Sequence, residues 1–350
     1  MPILHLDPAN FTPAQRTPWG GQRIIREYKT FLQSQTPHCV GESWEISCAT
    51  AFPSQVQNLD DSPTLAECIQ QHADDYLGSS VAQKQDTSTL LVKLIDAQDN
   101  LSLQVHPSDH DPALEAHESG KTECWYILNR NPDAGIYLGF KEGVSANDVA
   151  QCIRANEDLS QSMFFVPVKA GDFFVITPGL AHAIGKGVTL LEPQCTRPGT
   201  EGTTYRFWDW NRLYDAQGQQ DAQGQARPLH RDRSLAVTQW AYPREAALLN
   251  LHRVRLGSPD LNAPPQRHML SSTLAHPLQA EAWWGHGDLH FPSQTQILRG
   301  LTVLSGHVAL HHREGVDHID AGHSVVIPAS LCPDKIILEH AHAFLSAADI

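Results

Sequence analysis

Short apolar runs rich in β-branched and aromatic residues recur through the first two thirds of the chain: TLLVKLID, ECWYILN, GIYLGF, MFFVPV, DFFVIT and VTLLEPQ. Such residues suit a pleated, half-buried surface, and the Gly, Pro, Asn and Asp between the runs supply the turns. This rhythm predicts a mainly β fold, a sandwich or barrel. Two stretches break it with helical signals. SPTLAECIQQHADDYLG opens on Ser62-Pro63, and Ser145 to Glu157 starts with a capping serine ahead of Val149, Cys152 and Ile153 on one face. The segment from Tyr214 to Pro228, with AQGQQDAQGQ, is too rich in Gln and Gly to pack and predicts an exposed excursion.

A weak internal repeat points to two related units. AGDFFVITPGLAHAI from Ala170 and AGHSVVIPASLCPD from Ala321 each give a turn glycine, an apolar strand and a terminating proline. The histidine of the first copy, His182, has no counterpart in the second, where Cys332 stands. The expected division is a metal-binding unit over 1–250 with helical insertions and a degenerate unit without a metal site over 251–350.

The 350 residues, 41% of them hydrophobic, can bury a full core without disulfide staples. The seven cysteines are scattered, with no Cys-x-x-Cys pair, and are read as free thiols in a reducing compartment. No basic head with an apolar run opens the chain and no long apolar run follows, so a cytoplasmic protein that neither spans nor binds a membrane is expected. A formal net charge of −14 argues against nucleic acid as a partner.

Four polar residues on three of the expected strands could converge on a metal. Gln104 and His106 stand two apart in LSLQVHPSDH and therefore share a strand face; Glu123 lies in GKTECWYI and His182 in ITPGLAHAIG. Two imidazoles and two oxygens suit zinc and leave room for a substrate oxygen. An isolated histidine among 20 would be read as a packing or surface residue, but Glu123 beside Trp125 and Tyr126 needs a partner if it points inward. The histidine clusters HVALHHREGVDHID and LEHAHAFL lack such an organised set and are read as exposed or edge-strand residues.

WGG at 19–21, GESWEIS at 41–47, LVKLIDAQDNLSLQVHPSD, GKTECWYIL, GDFFVITPGLAHAI, LLEPQ and TTYRFWDWNRL occur in one order across Pro18 to Leu213. In that order and spacing the chain resembles the type I phosphomannose isomerases, zinc-dependent members of the cupin superfamily. The resemblance implies two tandem cupin (jelly-roll) barrels and a zinc-dependent interconversion of mannose 6-phosphate and fructose 6-phosphate through a cis-enediol(ate). It also implies one Zn2+ per chain, held by Gln104, His106, Glu123 and His182, a sugar phosphate substrate and a monomer. Lys121, Glu192 and Arg206 match the family's active-site lysine, acidic residue and arginine, and Ser102 would contact substrate or phosphate. Glu192 is the first candidate for the base and Lys121 the second, a lysine whose pKa a neighbouring dication would depress. Arg206 fits stabilisation of developing negative charge. Trp19 is placed at the site entrance, and Arg212, Lys93 and Lys186 are unranked candidates for the phosphate. The chain departs from the family between Gln194 and Thr204, where it carries CTRPGTEGT in place of a short Asn-Ser-Asp-like turn.

Bland readings stand beside these: Lys121 as a solvated edge lysine, Arg206 as a structural ion-pair residue, and Trp208 and Trp210 as packing. Two other functions use the same fold: an iron oxygenase at a two-His, one-carboxylate site, and a non-catalytic sugar-binding or regulatory cupin.

Overall fold

The computed structural model describes residues 1–36, 39–270, 277–290 and 296–348. The six β-rich runs become strands Leu90–Ala97, Thr122–Arg130, Gly135–Phe140, Met163–Pro167, Asp172–Ile176 and Val188–Cys195. They belong to two sheets. One has five strands in the order Tyr205–Trp208, Leu103–Val105, His182–Ile184, Gly135–Phe140, Met163–Pro167; the other has six, in the order Arg253–Arg255, Asp172–Ile176, Thr122–Arg130, Val188–Cys195, Leu90–Ala97, Glu42–Ile46. Ile136, Leu138 and Ile184 of the first share a buried core with Ile95, Trp125, Ile127, Phe174 and Leu190 of the second. The two sheets therefore face each other, and successive residues on their central strands alternate between this core and a second buried layer behind each sheet.

A third, seven-stranded sheet is built mainly from the C-terminal part. Its strands Arg299–His312 and Lys335–Ala348 run for 14 residues each, with irregularities between Val303 and His307. Such bulges increase local twist and let a long ladder curl. One face encloses Leu301, Val308, Leu310, Ile336 and Leu338, while Ala282, Trp284 and Phe344 on the other pack in the cluster that holds Val92, Leu94, Tyr126 and Phe173 of the six-stranded sheet.

The mainly β expectation is met. The sheets keep open edges, and no closed barrel forms among the described residues. Two short pairings cross the division drawn near residue 250: Leu4–His5 pairs with Val325 and Val326, and Arg253–Arg255 pairs with Asp172 to Phe174.

The helix expected over Ser62–Gly78 is three short ones, Leu65–Gln71, Ala73–Leu77 and Ser79–Ala82. His72 at φ −140° leaves the helical region, and Gly78 at φ +87° adopts a backbone that favours glycine. The cap is Thr64, which forms a capping box with Glu67. The second helix, Ala146–Ala155, has Ser145 and Asp148 in the same reciprocal arrangement and buries Val149 and Ile153. In the excursion after Tyr214 most residues are exposed, and Tyr214 itself is buried. All seven cysteines are free thiols. Among the described residues no helix is long and apolar enough to cross a membrane.

Candidate active site

Strand register brings the expected ligands to one place. In the five-stranded sheet Gln104 pairs with His182 on one side and with Arg206 on the other, so the three side chains share a face, and His106 follows Gln104 by two residues on the same face. Leu103, Val105, Ala183, Tyr205 and Phe207 occupy the opposite face, in a separate core. The inner face meets Glu123 of the six-stranded sheet, where Glu123 pairs with Gln194 and Glu192 pairs with Lys93. Alternation on Val188–Cys195 then directs Glu192 and Gln194 the same way as the core residue Leu190.

His106, Glu123 and His182 are fully buried, and their potential ligand atoms all lie within 4.8 Å of one another. Nε2 of His106 is 3.2 Å from one Glu123 oxygen, and Nε2 of His182 is 3.4 Å from the other. Each imidazole is oriented from behind. Nδ1 of His106 donates to the Thr203 carbonyl at 3.1 Å and Nδ1 of His182 to the Leu180 carbonyl at 2.8 Å, which leaves both Nε2 lone pairs facing Glu123. Nε2 of His106 and both Glu123 oxygens are buried without a hydrogen bond. Lone pairs left unsatisfied in a dry interior are costly unless a cation completes them. Two imidazole nitrogens and a carboxylate oxygen are a donor set for a borderline divalent ion such as zinc, so the residues fit the metal that the sequence implies. Gln104 stands beside them, its Nε2 3.2 Å from Nε2 of His182; turning the amide over would present its oxygen. Among the described residues no second cluster of this kind occurs, including in the C-terminal sheet.

Burial, reinforced by the Lys121 charge, pushes His106 down to about 3, and burial also lowers His182. Both are therefore neutral ligands at ordinary pH. Burial acts to raise Glu123, but Lys121 and then His106 outweigh it and hold the carboxylate well below its usual range. Lys121 reaches Glu123 at 3.1 Å; burial acts to lower its pKa, yet Glu123 and Glu192 together raise it, so it is an ammonium. Glu192 goes the other way. Burial, then the Glu123 charge, raise it to about 7.

Gln194, which the sequence reading passed over, joins the two titrating groups. Its Oε1 accepts from Lys121 Nζ at 3.3 Å and its Nε2 donates to Glu192 Oε1, while Trp125 Nε1 donates to the other Glu192 oxygen at 2.9 Å. Lys93 lies 3.8 Å from Glu192 and 3.8 Å from Glu42, and its ammonium sits 4.8 Å from the Trp44 ring centre. Position two after Glu192 in LLEPQ was the signal for Gln194, since residues two apart share a strand face.

The remaining expected residues scatter. Arg206 donates through Nε to Ser102 Oγ at 3.0 Å and through a terminal nitrogen to the Pro228 carbonyl at 2.8 Å, so these two sit together on the inner face. Burial, then Arg227, lowers Arg206 to about 10, which leaves it charged. Trp19 is buried in the inter-sheet core and does not line the cavity described next. Arg212 is held by Asp209 at 2.6 Å and Asp99 at 3.1 Å, and Lys186 is exposed. Trp208 ends its strand, and Trp210 follows at φ +59° against it, both packing residues.

A cavity of about 480 Å³ reaches Lys121 and Gln194 of this centre, while His106, Glu123, His182 and Glu192 do not line it. Lys121, Gln194 and Thr204 form part of its wall, and Lys93, Trp44 and Arg16 another part. The departure segment completes the wall with Thr196, Gly199, Thr200, Glu201 and Gly202. It is clipped to the chain just ahead of Lys121: Glu201–Gly202 pairs in parallel with Glu118–Ser119, Arg197 bonds the Glu118 carbonyl and lies 3.4 Å from Asp109, and Thr203 N donates to the Ser119 carbonyl at 2.8 Å. A Cβ at Gly202 would lie 2.9 Å from Lys121 Cδ, so a larger residue there would displace the Lys121 side chain.

Residues 12–142 match the family model for phosphomannose isomerase type I, catalytic domain. A mannose-6-phosphate isomerase of Streptococcus mutans is 38% identical over 230 residues, 65% of this chain and 66% of that protein. The crystal structure of a Bacillus subtilis mannose 6-phosphate isomerase superposes with a TM-score of 0.77 at 24% identity over 99% of both chains. A zinc-bound mannose 6-phosphate isomerase structure gives 0.69 at 14% identity over 99% of this chain and 100% of the other.

Proposed function

The chain belongs to the type I phosphomannose isomerase family, and we propose on that premise that it interconverts mannose 6-phosphate and fructose 6-phosphate with zinc held by His106, Glu123 and His182. The carrying observation is the buried His106, Glu123 and His182 donor set beside a cavity lined by the Lys121 ammonium and by Gln194, behind which stands Glu192 with its raised pKa. An aldose–ketose isomerase moves a proton between C1 and C2 through a cis-enediol(ate), and so needs a base near pH 7, a proton source and stabilisation of an oxyanion.

Zinc bound there supplies a Lewis acid that polarises the sugar carbonyl and offsets enediolate charge. Glu192, with its pKa near 7, is the base that carries the proton between the two carbons. Lys121, held charged by Glu123 and Glu192, donates a hydrogen bond or proton to the sugar oxygen that becomes negative. Gln194 fixes both at once, since its amide spans from one to the other. Arg206, braced by Ser102, adds a permanent positive charge on the same sheet face as Gln104. Gln104 would add its amide oxygen to the residues that hold the metal if that amide were turned over.

A test is activity on mannose 6-phosphate before chelation, after chelation and after return of zinc. Activity lost and restored in step with one zinc per chain supports the proposal; turnover that persists in metal-free protein removes it. An iron oxygenase has no need of Lys121 and Arg206, and iron bound in preference to zinc would favour that alternative.

A further inference from the structure

The proposed substrate carries a phosphate dianion into a protein of net charge −14, so some cation in the cavity must meet it. Most positive groups near the centre already have partners. Lys121 is engaged by Glu123 and Gln194, and Lys93 lies between Glu42 and Glu192. Arg197 is tied to Asp109 and the Glu118 carbonyl, Arg206 to Ser102 and the Pro228 carbonyl, and Arg212 to Asp209 and Asp99. Arg16 is different. Its guanidinium makes no hydrogen bond or ion pair among the described residues, yet it is not loose: it lies 5.3 Å from the Trp44 ring centre and 5.0 Å from that of Phe52.

Cation–π contact with two rings restrains the guanidinium while leaving its five N–H donors free for a ligand. Arg16 and Trp44 line the same cavity as Lys121, Gln194 and Thr204, so one small molecule lying in it can touch both this arginine and Lys121, whose ammonium is 3.1 Å from Glu123. Hydroxyls of Thr50, Thr87, Ser88 and Thr89 line that cavity as well. At about 480 Å³ its volume falls in the range of small-molecule sites, about 300–1,000 Å³.

We infer that Arg16, held over the Trp44 and Phe52 rings, is the anchor for the phosphate group of the substrate. The inference takes the substrate's identity from the isomerase reading; the subsite itself is a site for a phosphate dianion. A guanidinium fork matches phosphate oxygens in pairs, and this one has no carboxylate to give up before binding.

Inorganic phosphate titrated calorimetrically into the zinc-loaded protein is the probe. Wild-type protein binds it, Arg16→Met weakens binding about 10- to 100-fold, Arg16→Lys falls between, and Lys186→Met binds as wild type. In turnover, Arg16→Met raises KM for mannose 6-phosphate by a similar factor and leaves kcat within about twofold. Unchanged phosphate affinity in Arg16→Met, absence of phosphate binding in the wild type, or a fall in kcat with unchanged KM would each overturn the inference. A protein that binds phosphate through Arg16 but isomerises nothing keeps the subsite and loses the proposed function, so the two fail separately.

Discussion

Lys121 and Glu123, two residues apart on one face of the chain, meet at 3.1 Å in the protein interior, and each fixes the other's charge. The pair keeps Glu123 anionic and Lys121 cationic, the charges that their proposed roles as metal ligand and proton donor require. Glu123→Ala therefore removes a ligand and strands a buried ammonium. It is expected to abolish zinc retention and lower kcat/KM on the order of 10³-fold or more, measured by metal analysis and steady-state kinetics on the same preparation. Full activity in that variant would remove the site.

The pH profile should report Glu192. As a base it works when deprotonated, so with its pKa raised to about 7, kcat/KM rises with pH up to about 7 and flattens above it. Below that point the fall is about tenfold per pH unit. The stability effect has the opposite sense. Between the ordinary value of 4.5 and about 7 the folded protein holds a proton that the unfolded chain has released, so this group's contribution to stability declines as pH rises through that window. Glu192→Gln should flatten that limb of the stability profile and also lose the catalytic base.

Metal removal should destabilise the fold. Nε2 of His106 and Oε1 of Glu123 remain buried without a hydrogen bond when no metal completes them, and only the other Glu123 oxygen has a cation, Lys121, beside it. Zinc at about 100 times its dissociation constant adds about 2.7 kcal/mol, so thermal melts with and without chelator should separate by several degrees, and Glu123→Ala should show no separation.

The Cys195–Thr203 segment is expected to set metal affinity from a distance. Thr203 supplies the carbonyl that orients His106, and Arg197 clips the segment to Glu118 and Asp109. Arg197→Ala should raise the zinc dissociation constant about 10- to 100-fold in chelator competition while the melting point of the metal-free protein stays close to wild type. A lower melting point with unchanged zinc affinity would mean a purely structural clip.

Much of this was legible in the residues. The Gln104 and His106 spacing, the buried carboxylate of Glu123 and the turn ahead of His182 all follow from strand alternation, and the six apolar runs became the strands they implied. What escaped depends on contacts between distant segments. Nothing local marks Arg16 as a cavity residue, because its place follows from lying over the rings of Trp44 and Phe52, 28 and 36 residues on. Trp19, expected at the entrance, went into the inter-sheet core from a turn whose carbonyl accepts from Gln98 and Asp99 just after Leu90–Ala97. The break at His72 was equally hidden, since an amphipathic pattern can continue across a helix that the backbone interrupts.

The most direct measurement is proton exchange during turnover. Zinc-loaded protein incubated with fructose 6-phosphate in deuterated water, followed by NMR, should form mannose 6-phosphate and incorporate solvent deuterium at C1 of the ketose and C2 of the aldose. Formation of no mannose 6-phosphate and incorporation of no deuterium, with zinc bound at one per chain, would contradict an enediol mechanism at this site.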